Sequence, residues 1–356
     1  MKKDHLKRYP VFSGNTLLPY NTADELVIEY IHSIDLTDKS ILVLNDSFGA
    51  IASNIDSGEL TLYCDSYISK EAIYSNVQRP FTFLNDLSKI EGYFDFIILQ
   101  IPKNYSFLED QLITLSKYTD TESKLIATSM VKHLGSGAFD LINKHVGETT
   151  TSLAKKKARL VFANFTLKDS NSPYPLEIKV DSFDFKITNH SNVFSREKLD
   201  IGTRFFLEHI PSNCTGSILD LGCGNGLVGI KAKMINPKAS MIFSDDSKMA
   251  LLSAKKNYNK ISQDDAEFVW INCFEQTCER ELDLVLCNPP FHQGHTIGDF
   301  VAIQMFKDAN KTLKKGGVLR IIGNLHLGYQ VELKKIFGNA TKIAQNKKFI
   351  IWESIK

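Results

Sequence analysis

The sequence predicts an α/β protein made of two tandem Rossmann-like units, and three observations predict it. The chain has 356 residues, about twice the length of a common domain. Short apolar runs alternate with helix-like segments through both halves. The two halves also read as copies of one unit.

In the first half the apolar runs are residues 41–44, 62–64, 96–99 and 125–127. In the second half they are 218–221, 241–243, 284–287 and 318–322. Runs that are apolar on both faces suit a buried parallel sheet with helices on either side. Between the halves lies Lys168-Asp-Ser-Asn-Ser-Pro-Tyr-Pro175, polar and without periodicity, which reads as a linker. The expected domains are residues 1–173 and 174–356.

The internal likeness is specific. Ile41-Leu-Val-Leu-Asn-Asp-Ser-Phe-Gly49 aligns with Ile218-Leu-Asp-Leu-Gly-Cys-Gly-Asn-Gly226. Asp95-Phe-Ile-Ile-Leu-Gln-Ile-Pro102 aligns with Asp283-Leu-Val-Leu-Cys-Asn-Pro-Pro290. The differences carry the meaning. Val43 replaces Asp220, Asn45 replaces Gly222, Ser47 replaces Gly224, Gln100 replaces Asn288 and Ile101 replaces Pro289. The first copy is therefore expected to keep the fold and to have lost a ligand.

Bulk properties exclude several classes. Hydrophobic residues at 43% and charged residues at 23% describe an ordinary water-soluble chain. The net charge of +1 gives no global signal for nucleic acid, so any such affinity needs local patches. The six cysteines (Cys64, Cys214, Cys223, Cys273, Cys278, Cys287) form no CxxC pair, which favours reduced thiols over zinc. The N-terminal residues are charged and do not read as a signal peptide. A cytoplasmic protein with no membrane and no metal is expected, and a monomer.

The glycine-rich loop 217–226 follows an apolar run and precedes a helical segment, 227–234. Gly222, Gly224 and Gly226 allow positive φ and a close ligand approach, with Cys223 among them. Asp220 stands before the first glycine, unlike the dinucleotide Gly-x-Gly-x-x-Gly pattern, and a carboxylate there suits a cationic ligand. The plain alternative is a residue that braces the turn. Asp245 ends the next run about 20 residues on, where a carboxylate can accept ribose hydroxyls. Asp246 follows and could share that role, or Asp246-Ser247 could cap the helix from Lys248. A third strand is expected over 268–273, with Asn272 at its end able to bond an adenine amine or merely to cap a turn.

The strongest signal is Leu284-Val-Leu-Cys-Asn-Pro-Pro-Phe291. Pro289 and Pro290 cannot continue a ladder and fix φ, so the run ends in a stiff turn at its carboxyl end. Ligands of open α/β sheets bind there. An exocyclic amine on a purine is a poor nucleophile, because its lone pair is delocalised into the ring. The Asn288 side-chain oxygen and the Pro289 carbonyl can accept its two N–H groups and favour a pyramidal nitrogen. They also stabilise the positive charge that develops there. Phe291 can stack on the base. In the methyltransferases that this pattern resembles, such a loop and turn bring a nucleobase amine up to a methyl donor, S-adenosylmethionine.

With these motifs the chain resembles the guanine-N2 rRNA methyltransferases that carry two homologous class I domains, its large-subunit branch before its small-subunit one. The resemblance runs through Asp65-Ser-Tyr-Ile-Ser69, Asn192-Val-Phe-Ser-Arg196, Leu199-Asp-Ile-Gly-Thr-Arg-Phe-Phe206 and Asn288-Pro-Pro-Phe-His292. It implies two tandem class I methyltransferase domains, the N-terminal one degenerate and either RNA-binding or structural. It implies S-adenosylmethionine as cofactor and methyl transfer to N2 of one guanine in 23S rRNA, naked or partly assembled. It implies that the segment holding Phe194 closes over the cofactor. Leu325 stands where the family pattern has Arg.

Three alternatives stay open at this stage. A 16S rRNA enzyme, or an adenine-N6 or glutamine methyltransferase, would share the chemistry, although those last two usually carry Tyr in place of Phe291. A non-catalytic RNA-binding assembly factor would share the fold. A nicotinamide oxidoreductase would share only the glycine turn. The basic run Lys155-Lys-Lys-Ala-Arg159 could meet phosphates or simply be a solvated face. His292 and His295 could touch the base or lie on a loop.

Overall fold

A computed structural model describes residues 5–11, 17–166, 171–275, 280–290 and 297–356, with the backbone alone for 297–299. The chain divides into two compact units, Met1–Tyr174 and Pro175–Lys356. Of the expected linker, 168–170 fall outside the described residues.

The first unit contains α1 (Thr22–Ile31), β1 (Ser40–Leu44), β2 (Glu59–Tyr63), α2 (Tyr67–Asn76), β3 (Thr82–Leu84), β4 (Phe96–Gln100), α3 (Tyr105–Leu115), β5 (Lys124–Met130), α4 (Ser136–His145), β6 (Thr150–Thr151) and β7 (Ala158–Asn164). The second contains β8 (Leu176–Ile178), β9 (Ile187–Asn189), α5 (Ile201–Leu207), β10 (Ser217–Leu221), α6 (Leu227–Ile235), β11 (Ser240–Asp245), α7 (Lys248–Tyr258), β12 (Ala266–Trp270), β13 (Leu282–Cys287), α8 (Ile297–Thr312), β14 (Leu313–Asn324), α9 (Tyr329–Phe337), β15 (Thr341–Gln345) and β16 (Phe349–Ile355).

The two sheets have the same strand order. The first runs β3-β2-β1-β4-β5-β7-β6 and the second β12-β11-β10-β13-β14-β16-β15. The internal likeness of the sequence is thus a likeness of topology. The apolar runs form the expected parallel core of each sheet, β2-β1-β4-β5 and β11-β10-β13-β14, and the strands added at one edge do not continue it. β7 pairs antiparallel with β5, and β16 pairs antiparallel with β14. The expected third strand also stops early, because β12 ends at Trp270 and Asn272 lies in the turn beyond it.

Local chemistry starts the helices. Asn21 closes a capping box on α1, and Ser66, Asn104 and Ser247 accept from the first turns of α2, α3 and α7. Each such cap contributes about 1 kcal/mol. Of the two expected cap residues before α7, Ser247 is the one that caps. The core of the second unit joins Phe206 of α5 to Leu286 of β13, Ile322 of β14 and Ile351 of β16, and all four are buried.

In the first unit, side chains stand where the second unit has its glycine loop. Asn45 sits at φ 62°, the left-handed conformation that Gly222 adopts at 71° in the second unit. Asn is among the few side-chain-bearing residues that tolerate it. Its Nδ2 donates to the Gln100 carbonyl and to Gln111 Oε1, both at 3.0 Å. Gln111 Nε2 returns a bond to Asn45 Oδ1 at 2.9 Å. Gln100, which replaces Asn288, is spent as well: its Oε1 accepts from the Ser47 N–H at 3.3 Å and its Nε2 donates to Asp24. Asn45 and Gln111 thus hold each other by a reciprocal pair of amide bonds.

Candidate active site

Carboxyl ends of adjacent strands bring the two expected motifs together. In the β10–β13 ladder Leu221 pairs with Cys287, so the glycine loop after β10 and the Asn-Pro-Pro turn after β13 emerge side by side.

The loop is tightly built. Gly222, Gly224 and Gly226 all have positive φ, at 71°, 55° and 82°. The amides of Gly222 and Cys223 both donate to the Ser244 carbonyl at 2.9 Å. Cys223 is 7% exposed and belongs to the core, so its side chain anchors the loop, and burial pushes its thiol pKa well up. A Cβ on Gly226 would fall 2.8 Å from the Ala254 Cβ, whereas one on Gly224 would meet nothing within 4 Å. Gly226 thus serves packing, and Gly224 faces open space.

The acidic residues brace this loop. Asp220 is 2% exposed, and its Oδ2 accepts from the Gly229 amide at 2.7 Å. Gly229 permits this approach, since a Cβ there would lie 2.4 Å from the Phe243 ring. Burial, with Asp245 nearby, raises the Asp220 carboxyl to about 8. Asp245 accepts from the Gly224 amide at 2.8 Å and from the Ser247 amide at 2.9 Å. The structure thus gives both carboxylates the bracing contacts of the plainer reading. The Asp246 carbonyl accepts from Trp270 Nε1 at 2.7 Å. Asn272 is 6% exposed and donates from Nδ2 to Glu275 at 3.1 Å. Phe194 stays 66% exposed.

Asn288 differs from all of these. Its Nδ2 donates to Thr203 Oγ1 on α5 at 3.0 Å. Its Oδ1 is buried and has no partner. Thr203 also sets which way the amide faces. The Thr203 hydroxyl donates to Asp200 Oδ2 at 3.3 Å, and the Thr203 amide donates to the same oxygen at 2.8 Å. A carboxylate only accepts, so the hydroxyl proton is committed to Asp200. The hydroxyl oxygen must then accept from Asn288 Nδ2, which leaves Oδ1 as the free acceptor. Pro289 is buried and Pro290 exposed. Phe291, His292 and His295 lie outside the described residues.

This relay of Asp200, Thr203 and Asn288 was not legible in the sequence beyond the Asp200-Ile-Gly-Thr203 segment. It yields a test. Thr203→Val is expected to lower kcat about tenfold, one hydrogen bond's worth, with unchanged affinity for S-adenosylmethionine. Thr203→Ser is expected to restore it. Steady-state kinetics of both variants decide the matter, and equal activity of Val and Ser would remove the relay.

Sequence reasoning also missed the support beneath the loop. Asn225 Nδ2 donates to Asn189 at 2.9 Å, and Asn257 Nδ2 bonds the carbonyls of Thr188 and Asn225. Interior Asn residues on otherwise apolar segments were the available signal.

No group of His, Cys, Asp or Glu among the described residues could hold a metal ion, and none of the described helices is long and apolar enough to cross a membrane. Lys155 of the basic run pairs with Glu29 at 2.6 Å, as a solvated face would.

Comparison with known proteins then decides the family. The profile of the RLMG N-terminal domain matches residues 1–167, and that of the Methyltransferase small domain matches residues 184–353. The chain is 39% identical to Ribosomal RNA large subunit methyltransferase G of Colwellia psychrerythraea (strain 34H), covering 99% of this chain and 96% of that one. The chain belongs to the ribosomal RNA large subunit methyltransferase G family. A second family member, from Pseudomonas putida (strain W619), is 39% identical over 99% of this chain and 97% of its own. The family's fold is seen in a solved relative of lower identity, the T. thermophilus 16S rRNA N2 methyltransferase (RsmC) in complex with AdoMet and guanosine. It superposes with a TM-score of 0.79 at 17% identity, covering 99% of this chain and 98% of that one.

Proposed function

We propose that this chain transfers a methyl group from S-adenosylmethionine to the exocyclic N2 amine of a guanine in 23S rRNA, as a monomer in the cytoplasm. Membership of the large-subunit family supports the substrate. One observation carries the chemistry: a buried, unpartnered amide oxygen, Asn288 Oδ1, ends a strand beside an open glycine loop.

The residues present fit the cofactor. No protein atom lies within 4 Å of a Cβ built on Gly224, and Asp220, once ionised, offers a carboxylate to a cationic amine. In this reading the backbone of Gly222, Cys223 and Gly224 cradles the methionine part, with Gly226 packing the loop against Ala254, while Asp245, Asp246 and Asn272 take the ribose and adenine. Phe194 covers them. Engaging the ribose requires Asp245 to share its bonds with the loop amides. When bound, S-adenosylmethionine supplies the methyl group to be transferred.

The chain's own residues prepare the acceptor. Asn288 Oδ1 takes one N–H of the guanine amine and the Pro289 carbonyl takes the other. Held at two points, the nitrogen is favoured in a pyramidal form whose lone pair is withdrawn from conjugation with the ring, and developing positive charge meets two oxygen dipoles. The prolines keep the turn from relaxing, so little reorganisation accompanies the step. Pro290 sets the turn, and Phe291 is assigned to stack on the base. No strong base is required, because the methylated ammonium loses its proton to water.

In this reading the first unit holds the RNA. Lys103, Lys132, His133 and Lys157 are all exposed at the carboxyl edge of its sheet. Lys103 and Lys132 lower the pKa of His133, after burial, which places the three within one field.

Protein-free, unmethylated 23S and 16S rRNA incubated with labelled S-adenosylmethionine test the proposal. Mass spectrometry should find N2-methylguanosine at one position of 23S rRNA. Label in 16S rRNA, in N6-methyladenosine or nowhere would overturn it.

A further inference from the structure

Buried side-chain oxygens without partners are rare because the lost hydration has no replacement. Among the described residues four occur, on Ser244, Tyr258, Asn288 and Asn324, and the last of these is on β14, the strand beside the one that Asn288 follows. Asn324, the last residue of β14, is 8% exposed, and its Oδ1 has no partner. No local role accounts for it: Asn324 precedes the 3-10 turn Leu325–Leu327 and makes no capping bond to it.

Strand order and register place it. β14 lies between β13 and β16, and Asn324 pairs with Phe349 of β16. Cys287, the last residue of β13, pairs with Ile321, three residues before Asn324. Side chains two residues apart on a strand share a face. Asn288 follows Leu286 by two and Asn324 follows Ile322 by two, and both of those pack in the core under α5. Gly323 points the other way, since a Cβ there would lie 2.6 Å from the Tyr329 ring. Consecutive residues of α5 touch both flanks. A Cβ on Gly202 would lie 3.1 Å from the Phe349 ring, and Thr203 Oγ1 accepts from Asn288. Asn324, on the strand between these flanks, therefore faces α5 as they do, next to the exposed Leu325.

We infer that Asn324 reads the Watson–Crick edge of the target base, its side-chain oxygen accepting the N1–H next to the amine held by Asn288. Guanine carries donors on both N1 and the exocyclic nitrogen at C2. Adenine presents a bare N1 lone pair beside its amine, which would face an oxygen lone pair in a dry site. Two neighbouring acceptors thus select guanine over adenine, where one acceptor grips either amine. The inference rests on the guanine-N2 reading above.

The test uses a probe with the amine but without N1–H. Once the target nucleotide is located in 23S rRNA, fragments are made with guanine or 2-aminopurine at that position. The wild-type chain is expected to prefer guanine by about 30-fold in kcat/KM, the value of one well-placed base contact. Asn324→Ala is expected to lose that preference, with a fall on guanine and little change on 2-aminopurine. Calorimetry with S-adenosylmethionine confirms that the variant folds, and Asn324→Leu serves if alanine does not. Equal falls on both substrates, an unchanged ratio, or no wild-type preference would overturn the inference. Absence of N2 methylation by the wild-type chain would instead refute the functional reading beneath it.

Discussion

Asn288→Ala is expected to lower turnover about 100- to 1000-fold while affinity for S-adenosylmethionine stays within about twofold of wild type. The magnitude is that of removing one preorganised dipole aimed at developing charge. The separation of the two effects follows from the geometry. The Asn288 oxygen has no partner, so its loss breaks no bond of the fold, and its Nδ2 bond to Thr203 touches α5 rather than the glycine loop. Methyl-transfer kinetics on 23S rRNA and calorimetry with the cofactor alone measure the two quantities. A variant with full turnover would remove Asn288 from the reaction. Loss of cofactor affinity to match would make it part of the loop's scaffold instead.

Gly224→Val is expected to give the opposite pattern, weakening S-adenosylmethionine binding by roughly 100-fold, about 2.7 kcal/mol. The new side chain would project into space that no protein atom fills within 4 Å. Part of the effect is backbone strain, because φ is 55° and a β-branched residue is poorly tolerated there. Gly224→Ala separates the contributions, with strain of about 1 to 2 kcal/mol and little occlusion. Gly226→Ala is the control for a packing glycine: its Cβ would press on Ala254 at 2.8 Å, so thermal stability should fall before binding is read. Unchanged cofactor affinity in Gly224→Val would show that the ligand lies elsewhere.

Much of this was legible from residue order. Apolar runs located the central strands of both sheets because strands buried on both faces leave a continuous signal. Asn45 at the position of Gly222 announced a lost site, since side chains occupy what a ligand would need. The antiparallel edge strands were not legible, because pairing direction depends on how the chain returns and not on hydropathy. Asn272 was misplaced into a strand for a related reason: Trp270-Ile-Asn-Cys keeps the apolar rhythm after the ladder has ended. The side-chain amide orientation of Asn288 was beyond sequence as well. It depends on Asp200 and Thr203, some 85 residues upstream in the Thr203 contact, and only the folded chain brings them within 3.0 Å.

The buried Asp220 carboxyl has a calorimetric consequence. Held up at about 8 by its surroundings, it is mostly uncharged at neutral pH. Pairing with a cationic amine would require the ionised form, so binding would expel a proton into the medium. Apparent affinity would then climb with pH towards about 8, and fall again once the ligand amine loses its own proton. Below that point the measured heat would differ between phosphate and Tris by the difference in their ionisation enthalpies.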